Sequence, residues 1–151
     1  MLCQPADIID AFRRRWAESP VLLALIPGGV HQGRVPMNSA GSQVLSPYGK
    51  IDCVERERQQ NSSTTLIQVF TVTLSIWSEH GATDNAEIGR AIDLTFDRSR
   101  AVAELAVNPA DKVIDLLDLP AELTLDEKTR EATDQVVTVR RWEMWVQATR
   151  A

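Results

Sequence analysis

The chain has 151 residues, 44% of them hydrophobic and 25% charged, with a formal net charge of −5. That size and balance fit one domain over residues 1–151 with a core of its own, and they exclude a disordered chain. The longest apolar run, Val21–Ile26, is far short of the ~20 residues a bilayer-spanning helix needs, and the acidic balance argues against general affinity for nucleic acid or membrane.

The residues before Ile8 carry no basic region followed by an apolar stretch, so no secretory signal is expected. Cys3 and Cys53 are the only cysteines. They make neither a disulfide framework nor a four-cysteine zinc site, which fits a reducing compartment.

The first element is helical: Ile8, Ile9, Phe12 and Trp16 recur at three- and four-residue spacing, with Asp7 as N-cap or first-turn acid. Arg13, Arg14 and Arg15 fall mostly off that stripe and read as a solvated face. Ser19-Pro20 ends this helix and opens a short second one carrying Leu22, Leu23 and Ile26, which Pro27-Gly28-Gly29 stops. Val30–Val35 reads as a short strand, and Pro36–Pro47 as a small, polar loop.

Tyr48–Arg58 is a predicted strand with Ile51 and Cys53 on one face and Lys50, Asp52 and Val54 on the other. After a polar turn comes the clearest strand, Thr64–Trp77. Leu66, Gln68, Phe70, Val72, Leu74 and Ile76 share one face; Val69, Thr71, Thr73, Ser75 and Trp77 share the other, as in an antiparallel sheet covered on one side. The two strands are expected to pair as a long hairpin.

A helix capped by Thr83 or Asp84 follows, with Ile88, Ile92 and Phe96, or Ala91 and Thr95, as its inward stripe. Ala101–Val107 reads as a helical turn or short strand, Lys112–Leu119 as strand-like or irregular, and Ala121–Leu125 as a short strand. Asp126–Asp134 is a charged turn, the tip of a second hairpin. Gln135–Ala148 is the last long strand, with large apolar groups on both faces. Trp142 suits the core, and Trp145 lies on the opposite face beside Arg141 and Glu143. The order implies an α+β fold, a twisted antiparallel sheet of about four to five strands with two helices on one face.

Chemistry is scarce. His31 and His80 are the only histidines, with no metal-ligand spacing around them. Cys53 with His31 on a neighbouring strand is the one nucleophile–base pair the order permits, but a thiol on an apolar face is usually inert. Pro27-Gly28-Gly29 is no phosphate loop, and no nucleophile elbow is present. The acidic stretch Glu104–Asp134 lacks calcium-loop spacing and reads as a solvated surface or one facing a basic partner. No catalytic residue, metal or cofactor is expected. Trp145 beside Arg141 has the composition of an interface centre.

The order of pieces resembles a known family. A helix ends at Ile26-Pro27-Gly28-Gly29-Val30, a strand runs into Arg34-Val35-Pro36, and a loop leads to Ser46-Pro47-Tyr48-Gly49-Lys50-Ile51. Then come Phe70–Ser78, a Gly turn, a helix rich in Ala and Ile, and the closing strand Val136–Val146. From residue 8 to 148 this resembles the tail-completion proteins of tailed bacteriophages, neck proteins allied to tail terminators. The long hairpin region Asn61–Thr65 and the acidic connection after Phe96 depart from that pattern.

The resemblance implies a non-enzymatic virion protein, made in the host cytoplasm. It would form a homo-oligomeric ring, commonly of six copies, at the head-proximal end of the tail tube. There it would end tube polymerisation, contact the tail tube protein and join the head connector protein. DNA would pass through the lumen without sequence-specific binding, and no membrane would be involved. In such a ring Arg56, Arg58, Arg141 and Trp145 are expected at subunit or tube interfaces. The alternatives are a small α+β ligand-binding or enzymatic domain with its pocket between sheet and helices, and a tail tube or sheath subunit.

Overall fold

The computed structural model describes residues 2–33, 47–60, 62–78, 82–121 and 136–149. In chain order these form α1 (Pro5–Ala17), α2 (Pro20–Leu25), β1 (Val30–Gln32), β2 (Tyr48–Gln60), β3 (Thr65–Ser78), α3 (Ala82–Thr95), α4 (Arg98–Glu104), β4 (Lys112–Leu119) and β5 (Val136–Thr149). One open five-stranded sheet has the order β1-β2-β3-β5-β4. The fold is α+β, as expected.

The expected long hairpin of β2 and β3 is present, with Tyr48 opposite Trp77 and Gln60 opposite Leu66. β5 pairs antiparallel with β3 along its whole length, and β4 with β5. β1 differs from the antiparallel expectation: it runs parallel to β2, Val30 opposite Gly49. A parallel pair needs a crossover of about a dozen residues, and the stretch between β1 and β2 is long enough. All but the first residue of the predicted strand Ala121–Leu125, the charged turn 126–134, His80 and nearly all of the loop 36–47 lie outside the described residues.

Of the two readings for Ala101–Val107 the helical one is nearer: Arg98–Glu104 is a helix and, with α1, α2 and α3, makes four among the described residues. Lys112–Leu119, ambiguous by pattern, is a strand because β5 offers it a partner. A bulge between Val113 and Asp115 disturbs its alternation, which is why periodicity alone did not settle it.

The core lies between the helices and one sheet face. Ile8, Phe12 and Trp16 of α1, Leu22 of α2, and Ile88 and Ile92 of α3 meet Phe70, Val72, Leu74 and Ile76 of β3 and Trp142, Met144 and Val146 of β5. At its centre Phe12 stacks on Phe96, ring centroids 4.9 Å apart, and both rings touch Trp142, at 5.5 and 5.6 Å.

Local signals act as their chemistry dictates. Asp7 sits in the first turn of α1, and its carboxylate accepts from the Gln4 backbone N–H at 2.7 Å. The Ser19 hydroxyl caps α2 by accepting from Leu22 N–H at 3.3 Å. Gly29, at φ +72°, turns the chain from α2 into β1.

Gln68, fully buried on the apolar face of β3, clasps the N-terminal segment. Its amide accepts from Cys3 N–H at 2.8 Å and donates to Cys3 C=O at 3.0 Å.

The basic triplet is split. Arg13 and Arg14 are exposed, as expected of a solvated face, but Arg15 is not. The Arg15 side chain is only 13% exposed; it donates to Thr95 C=O at the end of α3 and to Glu104 of α4, each at 2.9 Å. A cation at a helix C-terminus satisfies a carbonyl left without an intrahelical donor.

Candidate interaction surfaces

The sheet has a face turned away from the helices, and the strand registers define it. Val69 of β3 lies opposite Trp145 of β5, Thr71 opposite Glu143, Thr73 opposite Arg141, Ser75 opposite Val139 and Trp77 opposite Val137. β2 adds Tyr48, Lys50, Asp52 and Val54, opposite Trp77, Ser75, Thr73 and Thr71. This face is less open than an alternating pattern suggests. Tyr48, Trp77, Val69 and Val139 are all buried, and the Tyr48 and Trp77 rings lie 5.4 Å apart.

Three of the four residues expected at interfaces share this face. Arg141 and Trp145 lie there on β5, Arg141 donating to Pro120 C=O at 3.3 Å. The Trp145 indole N–H is buried without a hydrogen-bond acceptor among the described residues, although the residue as a whole is partly exposed. Arg56 joins them through a bulge. Glu55 is opposite Phe70 and Glu57 opposite Val69, so Arg56 is the extra residue, and its Nε donates to Thr71 Oγ1 at 3.2 Å.

Arg58 goes elsewhere. It lies opposite Gln68 on the helix-side face, and its Nε donates to Glu55 Oε1 at 2.8 Å. Gln68 also donates to Glu55. The four residues therefore divide three to one between the two faces, a split that strict alternation along β2 hides because the bulge resets the parity.

The nucleophile reading finds no geometry. His31 is aligned with Lys50, not Cys53, and its Nε2 is 2.7 Å from Gly28 C=O. Cys53 packs against the core. Burial, with Glu55 and Asp52 adding negative charge, pushes its thiol up to about 12. Burial and Asp7 push the Cys3 thiol up to about 11. Neither is a thiolate at neutral pH.

Part of the acidic stretch makes internal contacts while remaining largely at the surface. Glu104 pairs with Arg15, and Asp111 accepts from Thr149 Oγ1 at 2.6 Å. Asp115 takes both nitrogens of an Arg98 fork, at 2.6 and 2.9 Å, tying α4 to β4. That bond holds the Asp115 carboxyl below the ordinary carboxylate value. Arg140, next to Arg141 but on the helix side, grips Asp93 of α3 in the same way, at 2.8 and 3.3 Å. Among the described residues no group of three or more His, Cys, Asp or Glu is placed to hold a metal, and no helix is long and apolar enough to cross a membrane.

One surface is not anticipated by the sequence pattern. Pro20, Val21, Ala24 and Leu25 of α2 and Glu87, Arg90, Ala91 and Leu94 of α3 line an open groove of about 590 Å³. Of its lining residues, Val21 and Leu94 stand 56% and 60% exposed. A signal for it exists: α2 is apolar all round, and a short helix with one buried residue leaves the rest outside.

No protein-family model matches the chain, and no curated protein does. Among solved structures, the fold is shared with a chain of the virion of a native gene transfer agent (GTA) particle, at a TM-score of 0.55 and 15% identity, over 92% of this chain and 90% of that one.

Proposed function

We propose that this chain is a structural protein of a phage-like particle, a single domain that forms a ring at the head-proximal end of the tail tube. The observation that carries the reading is the nearly end-to-end likeness of fold to a gene transfer agent virion chain. It agrees with the family resemblance read from the element order. The ring ends tube polymerisation and offers the head connector a docking surface. Six copies, the tail tube protein and the connector protein are its partners, DNA passes the lumen without sequence readout, and the protein resides in the virion after assembly in the host cytoplasm.

The surface chemistry suits that role. A closed ring requires each subunit to present two different surfaces, and the molecule carries an aromatic-plus-arginine patch on one side of the sheet and an apolar groove on the other. Arg56, Arg141 and Trp145 are assigned to one interface. Arg58, on the opposite face and ion-paired to Glu55, is assigned to contacts of the hairpin end.

The test is to label the chain and image purified particles at a resolution that separates neck from tail tip. Density at the head–tail junction supports the reading; absence of the chain from finished particles overturns it. A tube subunit would instead give label along the whole tail, and the pure protein would polymerise into long cylinders.

A further inference from the structure

Four large hydrophobic side chains stand exposed among the described residues: Val21, Leu23, Leu94 and Val54. Two of them, Val21 and Leu94, line the α2–α3 groove, and Leu23 stands on α2 outside that lining. Val54 alone lies on the other side of the molecule, on the far face of β2, 51% exposed and opposite Thr71. Each is stable enough as a lone exposed residue, but their distribution is not scattered: a groove on the helix layer and one apolar projection on the reverse of the sheet.

The charges around the two features match. Val54 is flanked along its strand face by Asp52 and, through the bulge, by Arg56. Asp52 meets Lys50 only at 3.8 Å with its side chain 57% exposed, so its carboxylate stays available to a second partner. The groove carries Glu87 and Arg90 on α3, both exposed. An apolar side chain between an acid and a base thus faces an apolar groove beside a base and an acid.

We propose that the α2–α3 groove receives the Val54 face of a second copy of this chain, with Asp52 of one copy directed to Arg90 of the next and Arg56 to Glu87. The contact joins two different surfaces on opposite sides of the molecule. It is therefore heterologous and propagates head to tail, closing into a ring when the rotation per step permits. It rests on the ring reading above and goes beyond it by naming the surfaces that meet.

The experiment uses two proteins with one exposed cysteine each, in a Cys53→Ser background where the remaining native thiol, Cys3, is buried. One carries Val54→Cys and the other Leu94→Cys, both at exposed positions. On mixing under mild oxidation, the expected product is the mixed 54–94 disulfide, with homodimers of either protein at background. Arg90→Asp in the Leu94→Cys protein is expected to cut the yield roughly tenfold, and Asp52→Arg in its partner to restore it. Homodimers as abundant as the mixed product, no mixed product at all, or no recovery by the charge swap overturns the proposal.

The double variant Val54→Cys/Leu94→Cys separates this inference from the ring reading. A ladder that ends at a closed oligomer supports both. Rings seen by light scattering without the 54–94 bond leave the ring and remove this contact. A ladder that grows without closing keeps the contact and removes the ring.

Discussion

Trp142 and Trp145 are three residues apart on β5 and face opposite ways, so truncating each to alanine separates folding from assembly. Trp142 is 2% exposed, and its ring touches Phe12 at 5.5 Å and Phe96 at 5.6 Å. Trp142→Ala removes a ring from the meeting point of α1, the end of α3 and the sheet, where the neighbours cannot all collapse into the space. Such truncations cost about 3–5 kcal/mol, out of a total stability of about 5–15 kcal/mol. At about 2–4 °C per kcal/mol for a chain of this length, melting falls by roughly 6–20 °C. Trp145 is partly exposed and its indole N–H has no acceptor among the described residues, so no buried acceptor is orphaned there. Trp145→Ala is expected to cost less than Trp142→Ala, about 2 kcal/mol for a ring that is mostly but not fully buried, a shift of about 4–8 °C.

The assays are thermal and urea unfolding followed by far-ultraviolet circular dichroism, and incorporation of each purified variant into particles lacking the native chain. Trp142→Ala is expected to unfold early yet be incorporated at temperatures where it is folded. Trp145→Ala is expected to melt several degrees below the native protein but above Trp142→Ala, and to fail to be incorporated even where it is fully folded. If Trp145→Ala lowers melting as far as Trp142→Ala, the division of the sheet into a folding face and an assembly face is refuted. Incorporation of Trp145→Ala at the native level removes its interface role.

Three further outcomes follow from the geometry. With both thiols pushed well above neutral by burial, iodoacetamide at pH 8 is expected to leave Cys3 and Cys53 unmodified in the folded protein and to label both in urea; rapid native labelling of Cys53 would revive the nucleophile reading. Asp115 has its folded value lowered by Arg98, so its contribution to stability is full above the ordinary 3.8 and is lost as pH falls through the folded value. The stability gap between native and Asp115→Asn is therefore expected to be widest above pH 4 and to close in acid; a gap independent of pH would show that the fork does not hold α4 to β4. A Cβ added at Gly49 would lie 2.6 Å from Ile76 Cδ1 in the core, so Gly49→Ala is expected to cost about 1–3 kcal/mol by overpacking, and Ile76→Val in the same chain, which removes that methyl, to recover part of it in a double-mutant cycle.

The elements legible in the sequence are those whose side chains alternate against a large partner. β3 and β5 each keep period two over their full length, so the opposition of Trp142 to Arg141 and Trp145 follows from the alternation itself. α1 is equally plain, because Phe12 and Trp16 mark its stripe. Legibility fails where a tertiary partner decides. β1 is three residues long, too short for a period to express whether its partner runs parallel. β4 becomes a strand only against β5. Arg15 looks solvated by spacing because its acceptors, Thr95 C=O and Glu104, lie 80 and 89 residues away. The bulge at Arg56 is invisible in a run of alternating charges, yet it decides which of Arg56 and Arg58 joins Trp145.

Those same charges explain which surfaces remain for assembly. Arg15, Arg98 and Arg140 are each used inside the molecule, binding respectively the ends of α3 and α4, the start of α4 to β4, and α3 to β5. Each ties a helix to another element through a carboxylate, so reversal of its charge acts on folding. Arg56, Arg90 and Arg141 bind no carboxylate among the described ion pairs. Arg56 and Arg141 lie on the far face of the sheet, and Arg90 lines the groove on the opposite side. Reversing any of these three leaves the internal ion pairs in place and costs at most one neutral hydrogen bond, that of Arg56 to Thr71 or of Arg141 to Pro120. Adjacent Arg140 and Arg141 make the contrast within one strand: the first is committed to Asp93, whereas the second keeps most of its guanidinium for a partner, and alternation along β5 alone puts them on opposite sides of the sheet.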